Sequence, residues 1–414
     1  MGKDLFKKPR MVAEAMKAQK GLSWILEILV FVAVFFVASA AQSMLMTPVQ
    51  LILMATNADF MNATTPEQKQ AILLEINNGD ANRINMLICE IGMIAVACLF
   101  CKLFQKRSMS TLGFVKKGIF KEYLIGLVVG FAMFSMAVLI GVGAGAIELN
   151  GISPAFSLGL FVLYTIGFMI QGMAEEVLCR GYFMVSYARR YPVYAAILVN
   201  SLVFAALHLG NPGITVLSFV NLVLFGIFAS VYFVRRGNLW GIGALHSIWN
   251  LVQGNFYGIK VSGLELTNSF LDTTMVEGNE LFNGGDFGLE GSLSVTIVLV
   301  VGTIIMYFMK DKDKFEFDPA LYQPPVKVTP QPMPPIINGQ PMNGPVPPMY
   351  NQIPPMYGQP MNGSVPPMYN QMPPIINGQP MNGPVPPMYN QMPPMNNQVP
   401  KVQVGDMGDN DKVK

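Results

Sequence analysis

The sequence predicts an all-α, polytopic membrane protein with about eight transmembrane helices and a disordered C-terminal tail. Three observations carry that prediction. The chain is 52% hydrophobic and 13% charged, too apolar and too charge-poor for an ordinary soluble domain. Its apolar residues gather into stretches close to the roughly 20 residues that a helix needs to cross a bilayer. Residues 315–414 hold 25 of the 31 prolines, a composition that cannot bury a core.

The apolar stretches lie near 22–45, 84–104, 123–147, 156–178, 193–209, 214–234, 238–256 and 291–309. The fifth is short for a span. Between them, 56–83 is polar and mildly acidic, and 257–290 is acidic and rich in Gly, Asn and Asp. Residues 1–21 form a basic N-terminus, and 22–314 form the membrane-embedded domain. The basic start, the apolar run and Ala38-Ser39-Ala40 also resemble a signal peptide with its cleavage site. Apolar character continues to about Ala55, which favours a retained anchor.

Lysine and arginine counts set the orientation, because cytoplasmic loops carry the excess. With the N-terminus inside, the inner segments hold 20 such residues and the outer segments hold 3, namely Lys69, Arg83 and Lys260. Both termini are therefore expected in the cytosol, with the chain in the cell membrane. The four cysteines fall in or beside apolar segments. Cys98-x-x-Cys101 has redox spacing without a βαβ context, so it reads as packing. No nucleic-acid partner is expected.

The tail contains three near-identical units, Met333–Gln352, Ile353–Gln371 and Met372–Gln391. Such repeats stay extended or disordered. Their spaced Pro-Pro-Met-Tyr elements could present aromatic rings to a protein partner, or the tail could be a solvated product of repeat duplication.

Three polar islands interrupt the apolar stretches, and ionisable side chains at membrane depth are costly unless paired and functional. The first is Glu175-Glu176 with Arg180. Arg180 lies four residues after Glu176, so the two share a helix face and can pair. Glu175 is rotated about 100° away and is left to activate water. The second is Phe204-x-x-x-His208. Arg189-Arg190-Tyr191-Pro192 reads as an inner turn, with Glu175 and His208 each about 16 residues from it. A helical hairpin would bring both to one depth, roughly 24 Å above the turn. The third is His246 with Asn250 at i+4, one face carrying two hydrogen-bond donors suited to a developing oxyanion. Counting residues does not bring His208 and His246 to one depth; a tilted helix or an irregular loop at Gly210-Asn211-Pro212-Gly213 is needed. Glu27, Glu90, Asn200 and Asn221 read as structural.

Glu175-Glu176-x-x-x-Arg180, Phe204-x-x-x-His208 and His246-x-x-x-Asn250, in that order, resemble the CAAX-protease and bacteriocin-processing family of membrane-embedded peptidases, which includes the type II CAAX prenyl endopeptidases. The resemblance spans about 110–255. It implies an eight-helix bundle with a catalytic cavity open to the cytosol. It further implies that Glu175 and His208 activate the attacking water, that His246 and Asn250 form the oxyanion site, and that Glu176, Arg180 and Phe204 support them.

The function expected is an intramembrane endopeptidase acting on membrane-associated proteins or peptides, lipidated or not, in the lipid bilayer. No G-x-S-x-G elbow occurs. Glu175, His208 and His246 have the composition of a catalytic zinc set, but there is no H-E-x-x-H, so both zinc and metal-free routes stay open. Two rivals come from other classes. One is a non-catalytic bacteriocin-immunity or scaffold protein. The other is a proton-coupled transporter, for which the sequence lacks inverted repeats.

Overall fold

The computed structural model describes residues 7–310, so the proline-rich tail lies outside the described residues. The chain forms α1 (Arg10–Ala18), α2 (Trp24–Thr56), α3 (Ala58–Asn62), α4 (Pro66–Asn78), α5 (Asp80–Cys89) and α6 (Ile91–Leu103). Then come α7 (Ile119–Gly143), β1 (Ile147–Ile152), α8 (Leu158–Glu176), α9 (Val185–Ala188), α10 (Val193–Leu207), α11 (Val216–Arg236) and α12 (Leu239–Leu251). β2 (Leu271–Met275), α13 (Glu280–Asn283) and α14 (Leu293–Phe308) complete it.

Every apolar stretch of the sequence is helical. Five helical runs are long and apolar enough to cross a membrane: Trp24–Thr56, Asp80–Leu103, Ile119–Gly143, Leu158–Ala188 and Val216–Arg236. Val193–Leu207 and Leu293–Phe308 are apolar but shorter, and α12 reaches Phe256 only through a π-helical turn. The expectation of eight spans thus rests on three short helices. The protein is an integral membrane protein, and its exposed apolar residues line the outsides of these helices. Phe36, Leu99, Leu124, Leu198 and Ile305 are examples.

One end of the bundle is basic. Here α1 buries Met11, Val12, Ala15 and Met16 along one stripe. Lys8 Nζ donates to the carbonyls of Ala188 and Tyr191. Arg107 is fully enclosed, bonding Ser186 Oγ at 2.8 Å and the Gly181 carbonyl at 3.0 Å. That burial pulls its guanidinium down to about 10. Arg236 grips Glu122 with two bonds of 2.9 and 2.7 Å. Glu27 pairs with Arg189 at 3.5 Å, the structural role its sequence position suggested.

The opposite end carries α3, α4 and an antiparallel pair, β1 with β2. The 257–290 segment folds against the helix starts there. Ser157 N donates to Asn268 Oδ1 at 2.7 Å, and Tyr164 Oη donates to Asp80 Oδ1 at 2.6 Å.

Small residues let the central helices approach, as in membrane bundles generally. A Cβ built on Gly126 of α7 would stand 2.0 Å from the Gly241 carbonyl oxygen of α12. A Cβ on Gly172 of α8 would stand 2.4 Å from Ser247 N. α12 is therefore clamped between α7 and α8, and this clamp positions the third polar island against the first.

Candidate active site

The first island sits where α8 changes pitch. Beyond Glu176 the helix widens into a π-helical segment, Val177–Met184, a feature that recurs at functional sites. Arg180 lies in the widened part and places Nη1 2.8 Å from Glu176 Oε1, with both side chains 0% exposed. The guanidinium also stands 4.6 Å from the Phe204 ring centroid, a cation–π contact that ties α10 to the pair. The pairing expected from the i, i+4 spacing is thus present.

The same Glu176 oxygen meets α12. His246 Nδ1 lies 2.9 Å from it. A carboxylate only accepts, so Nδ1 carries the hydrogen of this bond. Glu176 is therefore held by two donors from two helices.

Glu175 is oriented differently. It lines a cavity of about 150 Å³ shared with His208, His246, Asn250, Gln171 and Glu90. Its side chain is 25% exposed and its Oε2 stands 3.7 Å from His246 Nε2, beyond hydrogen-bond range. Glu175 Oε1 accepts from Gln171 Nε2 at 2.5 Å, and Gln171 Oε1 in turn accepts from Asn250 Nδ2 at 2.9 Å. Among the described residues Glu175 Oε2 has no hydrogen-bond partner.

His208 closes α10 as its C-cap. Its Nδ1 lies 2.9 Å from the Phe204 carbonyl oxygen. A carbonyl only accepts, so Nδ1 carries the hydrogen of this bond, and Nε2 is left without a bond to it. Glu175 and His208 face one cavity, in line with the hairpin register. The mismatch in depth between the two histidines is resolved by the short α10 and the irregular turn that follows it. The Phe204 ring stands 4.8 Å from the His208 ring and 6.2 Å from the His246 ring.

Among the cavity residues that escaped the sequence reading, Gln171 and Glu90 stand beside Glu175. Gln171 precedes Glu175 by four residues and shares its face, a spacing that could have flagged it. Glu90, read as structural, lies at the break between α5 and α6 and lines the cavity beside Glu175. Asn250 is found with its amide turned to Gln171, which occupies one of its two hydrogens.

Among the described residues no three His, Cys, Asp or Glu side chains form a group able to hold a metal ion. His246 Nδ1 is committed to Glu176 and Glu175 Oε1 to Gln171. These bonds leave His246 Nε2 and Glu175 Oε2 free, 3.7 Å apart, and a metal-binding histidine commonly bonds a carboxylate through its other nitrogen in this way.

The cavity occupies the half of the bundle away from the basic end. Asn211, Ser262, Leu264 and Glu290 all line it.

Fold and site together define an integral membrane protein with a polar, carboxylate-bearing cavity inside a helical bundle. Residues 156–252 match the family model described as Type II CAAX prenyl endopeptidase Rce1-like. That stretch contains every residue of the three motifs and supports the family resemblance read from them. The match is narrower than the 110–255 expected. No curated protein and no solved structure matches the chain.

Proposed function

We propose that the protein is an intramembrane endopeptidase that cleaves membrane-associated peptides with a water activated at Glu175. The observation that carries this reading is the division between two adjacent carboxylates. Glu176 is enclosed by Arg180 and His246, whereas Glu175 faces the cavity with His208.

Water held between Glu175 and His208 loses a proton to Glu175 as its oxygen attacks the peptide carbonyl carbon. The carbonyl oxygen takes up the negative charge. Asn250 has its second amide hydrogen for that oxyanion, and His246, whose Nδ1 hydrogen goes to Glu176, adds a second donor through Nε2 as the imidazolium. The carbon–nitrogen bond then breaks, and Glu175 returns the proton to the leaving amine. Gln171 steadies Glu175 by holding Oε1. The chemistry is that of a general base and uses neither a serine nor a cysteine nucleophile. Tripeptide removal from prenylated proteins and maturation of small peptides are both within its scope.

The test is cleavage by the purified protein in detergent, read by mass spectrometry on a set of membrane peptides. Cleavage by the wild type that disappears with Glu175→Gln supports the reading. Equal cleavage by both would remove Glu175 from the mechanism, and binding without any cleavage would favour a non-catalytic protein.

A further inference from the structure

We infer that the groove between α2 and α6, with the basic hollow at its end, is a binding site for one anionic phospholipid. The site lies apart from the catalytic cavity and does not depend on the peptidase chemistry.

The groove is apolar along its length. Val30, Ala33 and Val37 of α2 wall one side; Val96, Phe100 and Phe104 wall the other, and the space between them is about 460 Å³. Both walls belong to runs long and apolar enough to cross a membrane, so the groove opens to hydrocarbon. Val37 and Phe104 are more than half exposed on its rims, and buried Val34 forms its floor. Ala33 leaves space that a larger side chain would fill.

Its depth matches one leaflet. Trp24, more than half exposed at the start of α2, marks the interfacial level that such residues favour. Val30 lies six residues further on, about 9 Å deeper. From Phe104 back to Val96 the groove runs about 12 Å along α6, most of one leaflet of a hydrocarbon core about 30 Å thick. An acyl chain has this shape and this position.

Where α6 ends, the wall becomes basic. Lys102, Lys106 and Ser108, with Leu103 and Met109, line a hollow of about 590 Å³. Leu103 follows Leu99 of the groove by one turn and adjoins Phe104, so the hollow continues the groove. Among the described residues neither Lys102 nor Lys106 has a hydrogen bond or ion pair. Arg107, also in the lining, is committed to the protein through Ser186 Oγ and the Gly181 carbonyl. Glu14 is close by, accepting from Ser110 Oγ at 3.2 Å, but Arg10 Nε already holds it at 2.7 Å.

Lys106 adds an independent observation. Its φ is 53°, one of two positive values at non-glycine positions among the described residues. The turn it makes closes α6 by letting Arg107 N donate to the Cys101 carbonyl at 2.9 Å. Glycine takes this conformation without strain and is the usual residue there. The lysine bears the strain and gains no bond within the chain, and such strain gathers at ligand clamps. A phosphate supplies the partner that both ammonium groups lack. A partner's helix or a neutral lipid would fill the groove but leave the charge unmet. A free phosphate would meet the charge but leave the groove open. A lipid with an acyl chain and an anionic head matches both.

The experiment uses the full chain, stripped of lipid in detergent and then mixed with phosphatidylglycerol or with phosphatidylcholine of the same acyl chains. Native mass spectrometry counts the lipid retained, and melting is followed in parallel. Wild-type protein should retain one phosphatidylglycerol and melt higher with it, as a ligand of the folded state requires. Phosphatidylcholine should do neither. Lys102→Gln with Lys106→Gln should lose roughly thirtyfold in affinity for phosphatidylglycerol, the combined effect of two basic side chains at a membrane surface. Ala33→Phe fills the groove, leaves both lysines in place, and should also lose the lipid. Lys116→Gln with Lys117→Gln removes the same charge from exposed positions outside the hollow and should bind as the wild type does.

Equal retention of the two lipids overturns the proposal. So does an equal loss in the two lysine pairs, the mark of diffuse attraction to the basic end. Full retention by A33F also overturns it, since a headgroup contact would then suffice without the groove. A second copy of the chain seated in the groove would appear as a dimer that A33F breaks in either lipid, and that outcome overturns the proposal as well. Ala33→Leu replaces A33F if that variant does not accumulate.

Discussion

His246 Nδ1 on α12 lies 2.9 Å from Glu176 Oε1 on α8, and this contact organises the site. Glu176 Oε1 also receives Arg180 at 2.8 Å. A carboxylate stripped of water needs such donors, because an unpaired buried charge is strongly unfavourable. Glu176 thus joins α8 to α12 and cannot serve as a base. Its neighbour Glu175 is left with one oxygen held and the other facing the cavity.

Removing one partner of the enclosed pair should unfold the bundle before it affects chemistry. Arg180→Met leaves Glu176 uncompensated, at a cost of about 3–5 kcal/mol. The expected result is a large drop in melting temperature in detergent. Glu176→Leu combined with Arg180→Met should recover much of that loss. Activity should not return, since His246 then has no acceptor at Nδ1. An unchanged melting temperature in the single variant would show that the pair is not structural.

Glu175→Gln should behave in the opposite way. The amide keeps the shape of the side chain and leaves the enclosed pair untouched, so melting should match the wild type. Turnover should fall by roughly 10²–10⁴-fold, the usual contribution of a general base. Parallel melting curves and cleavage rates would check both halves of this expectation.

Packing should control the site at a distance. A Cβ on Gly172 would meet Ser247 N at 2.4 Å and Ser247 Cα at 2.7 Å. Both are main-chain atoms, so no side-chain rotation gives relief. Gly172→Ala should push α8 away from α12, lengthen the Glu176–His246 bond and cost about 1–3 kcal/mol, as overpacked cores do. Gly159→Ala is the control, because its nearest neighbour is Ser157 Oγ at 3.9 Å. Equal stability of the two variants would refute the clamp.

The eight apolar stretches and the Glu176–Arg180 pair were legible in the sequence, as was the approach of Glu175 and His208 to one cavity. Each follows from local periodicity or from a single turn. Three features were not. The π-helical segment after Glu176 arises from packing that no residue count reveals. Glu90 reaches the cavity because α5 and α6 meet at a break, and an isolated acid in an apolar helix gives no hint of what it faces. The position of the cavity in the half away from the basic end depends on the loop at 261–266 returning over the helices, a contact distant in sequence.

The sharpest remaining prediction concerns Gln171, the residue between Asn250 and Glu175. Its carbonyl accepts from Asn250 at 2.9 Å and its amide donates to Glu175 at 2.5 Å. Gln171→Leu removes both bonds, leaving Glu175 Oε1 without its donor and Asn250 free to rotate. Turnover should fall while the Glu176–Arg180–His246 cluster, and hence melting, stays largely intact. Asn250→Ala should also slow turnover. Because the two residues act through one chain of bonds, the double variant should be less impaired than the two single losses combined predict. A coupling of about 0.5–3 kcal/mol is the range for residues in one network. Gln171→Glu separates the two bonds: it retains an acceptor for Asn250 but sets a second carboxylate against Glu175. If the bond to Glu175 is the one that matters, Q171E should be as slow as Q171L. If holding Asn250 is what matters, Q171E should approach the wild type. Strict additivity of Q171L and N250A in cleavage rates would show that the three residues do not work as a relay.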